Sequence, residues 1–233
     1  MQPICFPRAI RFLPLTFLIC LLPGCASVPQ APVAREGIEW CDIWIAHANE
    51  TNLPRVLLIG DSITRGYYPA VEQRLAGKAY VARLATSAFI SDPMLLQQVS
   101  MVLDHNRFEV IQFNNGMHGW QHDEAEYGRA FHAFVANLRR HAPQAKLIWA
   151  STTPLKPSAE SRTAHPGQAS DARVAARNSI ALDCLKGQGI ALTDLYTPVL
   201  GHAEYYSDGV HFNRDGIAVQ AGAVAAAIRA LLP

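Results

Sequence analysis

Two short stretches near opposite ends of the sequence carry the residue types best suited to covalent chemistry. Arg55-Val56-Leu57-Leu58-Ile59-Gly60-Asp61-Ser62 is an apolar run that ends in a glycine, an acid and a serine, and a helical pattern follows. A hydroxyl at the start of a helix lies beside unpaired backbone N–H groups, which favour developing negative charge. Ser62 can therefore serve as a nucleophile, or Ser62 or Asp61 can simply cap the helix. The second stretch, Ser207-Asp208-Gly209-Val210-His211, sets a carboxylate three residues before a histidine across a glycine. Such a turn lets Asp208 accept the imidazole Nδ1–H, which fixes the tautomer and leaves Nε2 free to take a serine proton.

Gly-Asp-Ser after the first strand, paired with Asp-x-x-His before the last helix, resembles the SGNH hydrolases, also called the GDSL esterase/lipase family. The resemblance runs from about Arg55 to the C-terminus. It implies a flavodoxin-like three-layer α/β/α sandwich, with Ser62 as nucleophile, His211 as general base and Asp208 as its orienting acid. Such enzymes hold the oxyanion with the nucleophile's N–H, a glycine after the second strand and the asparagine of a Gly-x-Asn motif after the third. Here Ala88 falls near the glycine position and Gly116-Met117-His118 lies over Gly-x-Asn. The resemblance thus gives Ser62, Ala88 and either His118 or Asn115 as oxyanion donors. A neutral imidazole at His118 can donate one N–H. Because side chains alternate along a strand, Asn114 and Asn115 should not both face the site.

The elements that must position these groups follow from periodicity. Val56–Ile59 fits a strand buried on both faces, and further strands are expected at Lys78–Ala85, Glu109–Asn114, Lys146–Ala150 and Ile190–Leu195. Helical patterns lie between them, at Pro69–Leu75, from Asp92-Pro93 to Asp104, at Asp123–His141 and at Asp171–Lys186, with a closing helix at Asn213–Leu232. This alternation predicts a doubly wound, five-stranded parallel sheet. Ser151–Ser170, with three prolines and a glycine, reads as a loop at the carboxyl edge of the sheet. Trp40, Ile43, Trp44 and His47, three and four residues apart, predict a packed helix within Glu36–Thr51.

Arg8 and Arg11 precede the apolar stretch Phe12–Leu22, and Leu22-Pro23-Gly24-Cys25 closes it. That layout predicts a secretory signal over residues 1–24, and the cysteine resembles a bacterial lipobox, so Cys25 is expected to carry a lipid. Residues 25–35, with Pro29 and Pro32, read as a tether, and 36–233 as a single catalytic domain. The expected location is outside the cytoplasm, on the outer membrane of a bacterium facing the periplasm, with the membrane contacted through Cys25. A net charge of +1 over 233 residues argues against a nucleic-acid partner. No phosphate loop or nucleotide fingerprint is present, so no cofactor is expected, and the lone His118/His122 pair does not predict a metal. Cys41 and Cys184 could pair or stay free.

The function expected is a serine esterase that removes short acyl groups, most naturally acetyl, from an envelope or extracellular carbohydrate. Tyr67, Tyr68, Trp120, His122, Tyr205 and Tyr206 would border its crevice, aromatic groups with polar edges that suit a sugar. A lysophospholipase- or thioesterase-like lipid esterase and a non-catalytic binding module are the alternatives.

Overall fold

The computed structural model describes residues 33–157 and 169–233. The expected signal peptide, Cys25, most of the tether and the middle of the 151–170 loop lie outside the described residues. Along the chain run β1 (Cys41–Ile45), β2 (Arg55–Gly60), α1 (Ser62–Arg74), β3 (Tyr80–Thr86), α2 (Pro93–His105) and β4 (Val110–Phe113). They are followed by α3 (Glu124–His141), β5 (Lys146–Ala150), α4 (Asp171–Leu185), β6 (Ala191–Thr193) and α5 (Arg214–Leu231).

The strands form one sheet in the order β1-β3-β2-β4-β5-β6. All neighbours are parallel except β1, which runs antiparallel to β3. The sheet therefore has six strands, not five, and is mixed. The extra strand lies where the spacing of Trp40, Ile43, Trp44 and His47 predicted a helix. Ile43 and Ile45 satisfy a period of two as well as part of a period of four, and both pack toward the core beside β3. On the other side of the strand, Asp42 pairs with Arg83 at 3.0 Å, and the Arg83 guanidinium covers the exposed Trp44 ring at 5.6 Å. An edge strand with one open face needs no helical stripe. His47, at φ 53°, ends it.

β2 is fully buried and feeds both faces of the sheet. Val56 and Leu58 pack with Val71 of α1, with Leu75 just after it, and with Val224 and Ile228 of α5; Leu57 and Ile59 pack with Val99 of α2 and Phe131 and Phe134 of α3. A strand with apolar residues at every position is stable only between two such layers. Burial of each of these side chains contributes about 1.5–3 kcal/mol. The other long helices start at capping residues: Asp92, Asp123, Ser170 and Asn213 each accept a backbone N–H from the first turn. α1 differs, since it starts at Ser62, seven residues before the Pro69 from which the pattern predicted it. Pro69 is tolerated in the helix because it and Arg65, whose carbonyl it leaves unbonded, are both on the exposed side.

β2 sits between β3 and β4, so the strand order reverses there, and the chain leaves β2 and β4 in opposite senses to cross the two faces. Ligands of open α/β sheets bind beyond the carboxyl ends of strands at such a switch point. The turn holding Ser62 follows β2, and the loop holding His118 follows β4.

Candidate active site

Three residues that the sequence singled out meet at this crevice. Asp61 caps α1, its side chain accepting the N–H of Ile63 at 2.9 Å, so the capping role falls to the acid and Ser62 is free to point outward. Gly60 is required for the tight exit from β2: a Cβ there would lie 2.0 Å from Thr64 Oγ1 and 2.8 Å from Thr64 Cβ. The Ser62 hydroxyl reaches His211 Nε2 at 2.8 Å, and His211 Nδ1 reaches Asp208 Oδ2 at 2.8 Å. The other Asp208 oxygen accepts the N–H groups of Val210 and His211, both at 2.7 Å.

Partial burial works against the Asp208 charge, but the two backbone N–H groups and the imidazole outweigh it and hold its carboxyl at about 2. Asp208 is thus a fixed anion that accepts Nδ1–H and leaves a lone pair on Nε2 for the serine proton. The turn is anchored to α5. Ser207 N–H donates to the His211 carbonyl, the Tyr206 and Phe212 rings pack at a tilt with centroids 4.4 Å apart, and Asn213 both caps α5 and donates to the Glu204 carbonyl.

Ser62 and His211 open onto a cavity of about 590 Å³, whose wall also holds His118, Glu36, Trp40, Arg65, Trp120 and Gln121. His118 is therefore brought to the nucleophile. The oxyanion candidates Ala88 and Asn115 are not in that wall; both are buried behind it, where Asn115 Nδ2 donates to the Ala88 carbonyl at 2.9 Å and the Ala88 N–H goes to Thr86 Oγ1 at 3.1 Å. Asn114 points elsewhere, donating to the Ala150 carbonyl and Thr152 Oγ1. As strand alternation requires, the two asparagines diverge, and each ties one loop to another.

His118 is held from behind. Its Nδ1 lies 3.0 Å from Glu36 Oε2, while Glu36 Oε1 accepts the Gly119 N–H at 2.9 Å. Its Nε2 is buried and has no partner. Burial disfavours charge on this ring, but the hydrogen bond to Glu36 and the negative charges of Asp61, Glu36 and Glu39 prevail, and its pKa is raised. Glu36 is lowered: burial again opposes, and the His118 and Gly119 hydrogen bonds win. The expectation of a neutral donor changes accordingly, because a neutral ring that gives Nδ1–H to Glu36 has no hydrogen on Nε2.

The loop beneath is fastened by Arg177, which is fully buried and donates to the carbonyls of Gly116, His118 and Gly119 at 3.0, 2.7 and 3.0 Å. Its guanidinium lies 4.2 Å from the Trp120 ring centroid and 5.2 Å from that of Phe89. Burial lowers its pKa to about 10, so it stays charged at neutral pH. Arg173 joins it, bonding Glu124 and the carbonyls of Trp120 and His122. Gly119 takes φ +70°, with Phe89 side-chain atoms 2.2 Å from where a Cβ would be.

Glu36, Arg173 and Arg177 were not anticipated from sequence, since nothing local marks an acid before the first strand or an arginine on a helix as a partner of this loop. Trp40, expected as a packing residue, forms part of the cavity wall with the Arg65 guanidinium 5.0 Å from its ring. Of the aromatic groups expected at the crevice, only Trp120 lines the cavity. Tyr67, Tyr68 and Tyr206 are buried in the core, where their hydroxyls bond Thr64, Glu72 and the Pro154 carbonyl respectively. His122 stacks on Phe89 and bonds Glu126 and the Ala34 carbonyl. Among the described residues no cluster of His, Cys, Asp and Glu could hold a metal ion. Cys41 and Cys184 are both free thiols. Ala34 and Arg35, assigned to the tether from sequence, are tied to the domain, Arg35 by an ion pair with Asp92 at 2.7 Å.

The model of the GDSL-like lipase/acylhydrolase family matches residues 58–219. No curated protein matches the sequence. Similar solved structures include a carbohydrate acetylesterase from Sinorhizobium meliloti, 14% identical with a TM-score of 0.62, the match covering 77% of this chain and 100% of that one. The aryl esterase of M. smegmatis is 15% identical with a TM-score of 0.61, over 77% and 100% of the two chains. A carbohydrate esterase of family 3 from Talaromyces cellulolyticus is 16% identical with a TM-score of 0.60, over 76% and 97%. At these identities the likeness is one of fold.

Proposed function

Because the chain belongs to the GDSL-like lipase/acylhydrolase family, and is thereby a carboxylic ester hydrolase, we propose that it removes short acyl groups, chiefly acetyl, from a carbohydrate by a Ser62–His211–Asp208 mechanism. The observation that carries this reading is the unbroken hydrogen-bond chain from the Ser62 hydroxyl through His211 to Asp208, at 2.8 Å for each side-chain link.

Ser62 Oγ attacks the ester carbonyl as its proton passes to His211 Nε2, and Asp208 stabilises the imidazolium without taking the proton. The carbonyl electron pair moves onto oxygen, where the Ser62 N–H at the start of α1 and a donor from the His118 loop hold it. On collapse the carbonyl re-forms and the leaving sugar hydroxyl takes the proton from His211. Water, activated by the same imidazole, then releases the acid and restores Ser62.

The glycan assignment rests on the wall of the cavity. Trp40 and Trp120 contribute apolar rings to it, while Arg65, Gln121, Glu36 and His118 bring hydrogen-bonding groups around them. That mixture suits a hydroxylated ring carrying a small acyl group better than a long hydrocarbon chain. Likeness to two carbohydrate esterases is consistent with it. A chain-length series of activated esters, followed by acetylated polysaccharides, tests the reading: kcat/KM should peak at acetyl or propionyl. A maximum at eight carbons or longer would identify a lipid esterase instead.

The signal pattern of residues 1–24 and the cysteine behind it support export and lipid anchoring at Cys25, on the outer membrane facing the periplasm. Cys25→Ser should then release a soluble periplasmic form, and an unmodified, freely soluble mature protein would refute the anchor.

A further inference from the structure

The Glu36–His118 pair has no counterpart in the proton relay at Ser62, yet it faces the same cavity. Glu36 comes from the segment before β1 and uses both carboxylate oxygens on the His118 loop, one on the ring at 3.0 Å and one on the Gly119 N–H at 2.9 Å. Arg177 fixes the carbonyls on either side of that ring, so neither the loop nor the imidazole is free to turn. The one ring atom left over, Nε2, is buried without a partner in a wall that also holds Ser62 and His211.

We infer that Glu36 is a positioning residue which makes His118 a positively charged oxyanion donor, its Nδ1–H given to Glu36 and its Nε2–H, which no protein group accepts, left for the oxyanion at the cavity wall. The inference rests on the reading of His118 as the donor of this loop. While Glu36 is ionised it accepts Nδ1–H, so a neutral His118 presents a lone pair at Nε2 and repels an oxyanion; only the imidazolium carries N–H on both nitrogens. An imidazolium donor forms a charge-assisted bond, roughly twice as strong as a neutral one. His118 keeps its proton throughout; the proton that moves travels from Ser62 to His211 and on to the leaving alcohol.

The surrounding charges favour this state. Glu36 and Glu39 approach from the segment before β1 and Asp61 from the cap of α1, all raising the ring's affinity for a proton. Against them stand burial and the cations nearby: Arg177 on α4, itself beside Arg173 and the counter-charge of Glu124, and Arg65 on α1; the His211 ring faces His118 across the cavity. The raised pKa of the ring and the lowered pKa of Glu36 agree with a charged pair.

Glu36→Gln discriminates cleanly. Gly119 N–H needs an acceptor, so the new amide must turn its oxygen to Gly119 and its NH₂ to His118 Nδ1. That makes Nδ1 an acceptor and leaves a neutral ring with its hydrogen on Nε2. The expected result is a kcat about 10-fold lower at neutral pH, a KM nearly unchanged, and loss of the alkaline fall in kcat expected of the wild type as His118 gives up its second proton. In a His118→Asn background the same change should be nearly silent and the alkaline fall already absent. Nitrogen NMR of the imidazole reads the event without turnover: both ring nitrogens protonated at neutral pH in the wild type, only Nε2 in Glu36→Gln. A Glu36→Gln enzyme with wild-type kcat and an unchanged alkaline limb overturns the inference. If instead His118→Ala is itself silent, the donor reading beneath it fails; if His118→Ala is costly while Glu36→Gln is not, only the role of Glu36 falls.

Discussion

The turn that carries Asp208 and His211 and the loop that carries His118 face each other across one cavity and are built on opposite plans. His211 and Asp208 are about half exposed, at 47% and 56% of their side-chain surface, and are bonded within three residues of each other. Their geometry is a property of one tight turn. His118 is 18% exposed and depends on partners 82 residues away in Glu36 and 59 away in Arg177, itself fully buried. A relay that must exchange protons with substrate and water can tolerate solvent. A donor that works through fixed charge is strengthened by its exclusion, because electrostatic interactions weaken as the effective dielectric rises.

The contrast is open to direct attack, most strongly at the nucleophile. Ser62→Ala or His211→Ala should lower kcat by about 10⁴-fold or more with no change in unfolding midpoint, since members of such a triad act as a unit. Near-wild-type turnover by either would break the comparison at its base. Asp208→Asn comes next: the amide oxygen can keep the two backbone N–H bonds, but its NH₂ faces Nδ1 and imposes the wrong tautomer, at a cost of up to about 10⁴-fold in kcat with the fold intact.

His118→Ala should cost about 10²- to 10³-fold, mainly in kcat, as expected for one lost oxyanion donor. If Asn115→Ala carries that loss instead, the donor lies behind the present cavity wall. Arg177→Met tests the buried side of the contrast and should act first on stability. It strands three carbonyls that Arg177 now serves and should cost about 2–4 kcal/mol by denaturant unfolding, with activity falling as the loop loosens.

The smallest effect expected is the contribution of Asp208 to acid stability. Its folded pKa is depressed to about 2, so any stabilisation is complete above the unfolded carboxylate value near 4 and is lost as pH falls through 2. With half of the side chain in water, solvent screening limits it to well under ~1 kcal/mol. Comparing Asp208→Asn with wild type in urea at pH 6 and pH 2.5 measures it; a difference of several kcal/mol would mean that the turn is far less exposed in solution.

The sequence by itself determined whatever depends on neighbours along the chain. Val56–Ile59 fitted a doubly covered strand, Asp92, Asp123 and Asn213 marked helix starts, and Asp208-x-x-His211 held its own dyad geometry in four residues. Periodicity failed at Cys41–Ile45, where five residues of an edge strand satisfy two periods at once and pairing with β3 chooses between them. The expectation that Tyr67 and Tyr68 border the crevice failed too, because the direction of a side chain near the start of α1 is set by how that helix lies on the sheet. Only the tertiary structure could decide the surroundings of His118. The acid before the first strand and the arginine of α4 become its supports through strand order and helix packing alone, and electrostatic partnership across a fold leaves no spacing in the chain to read.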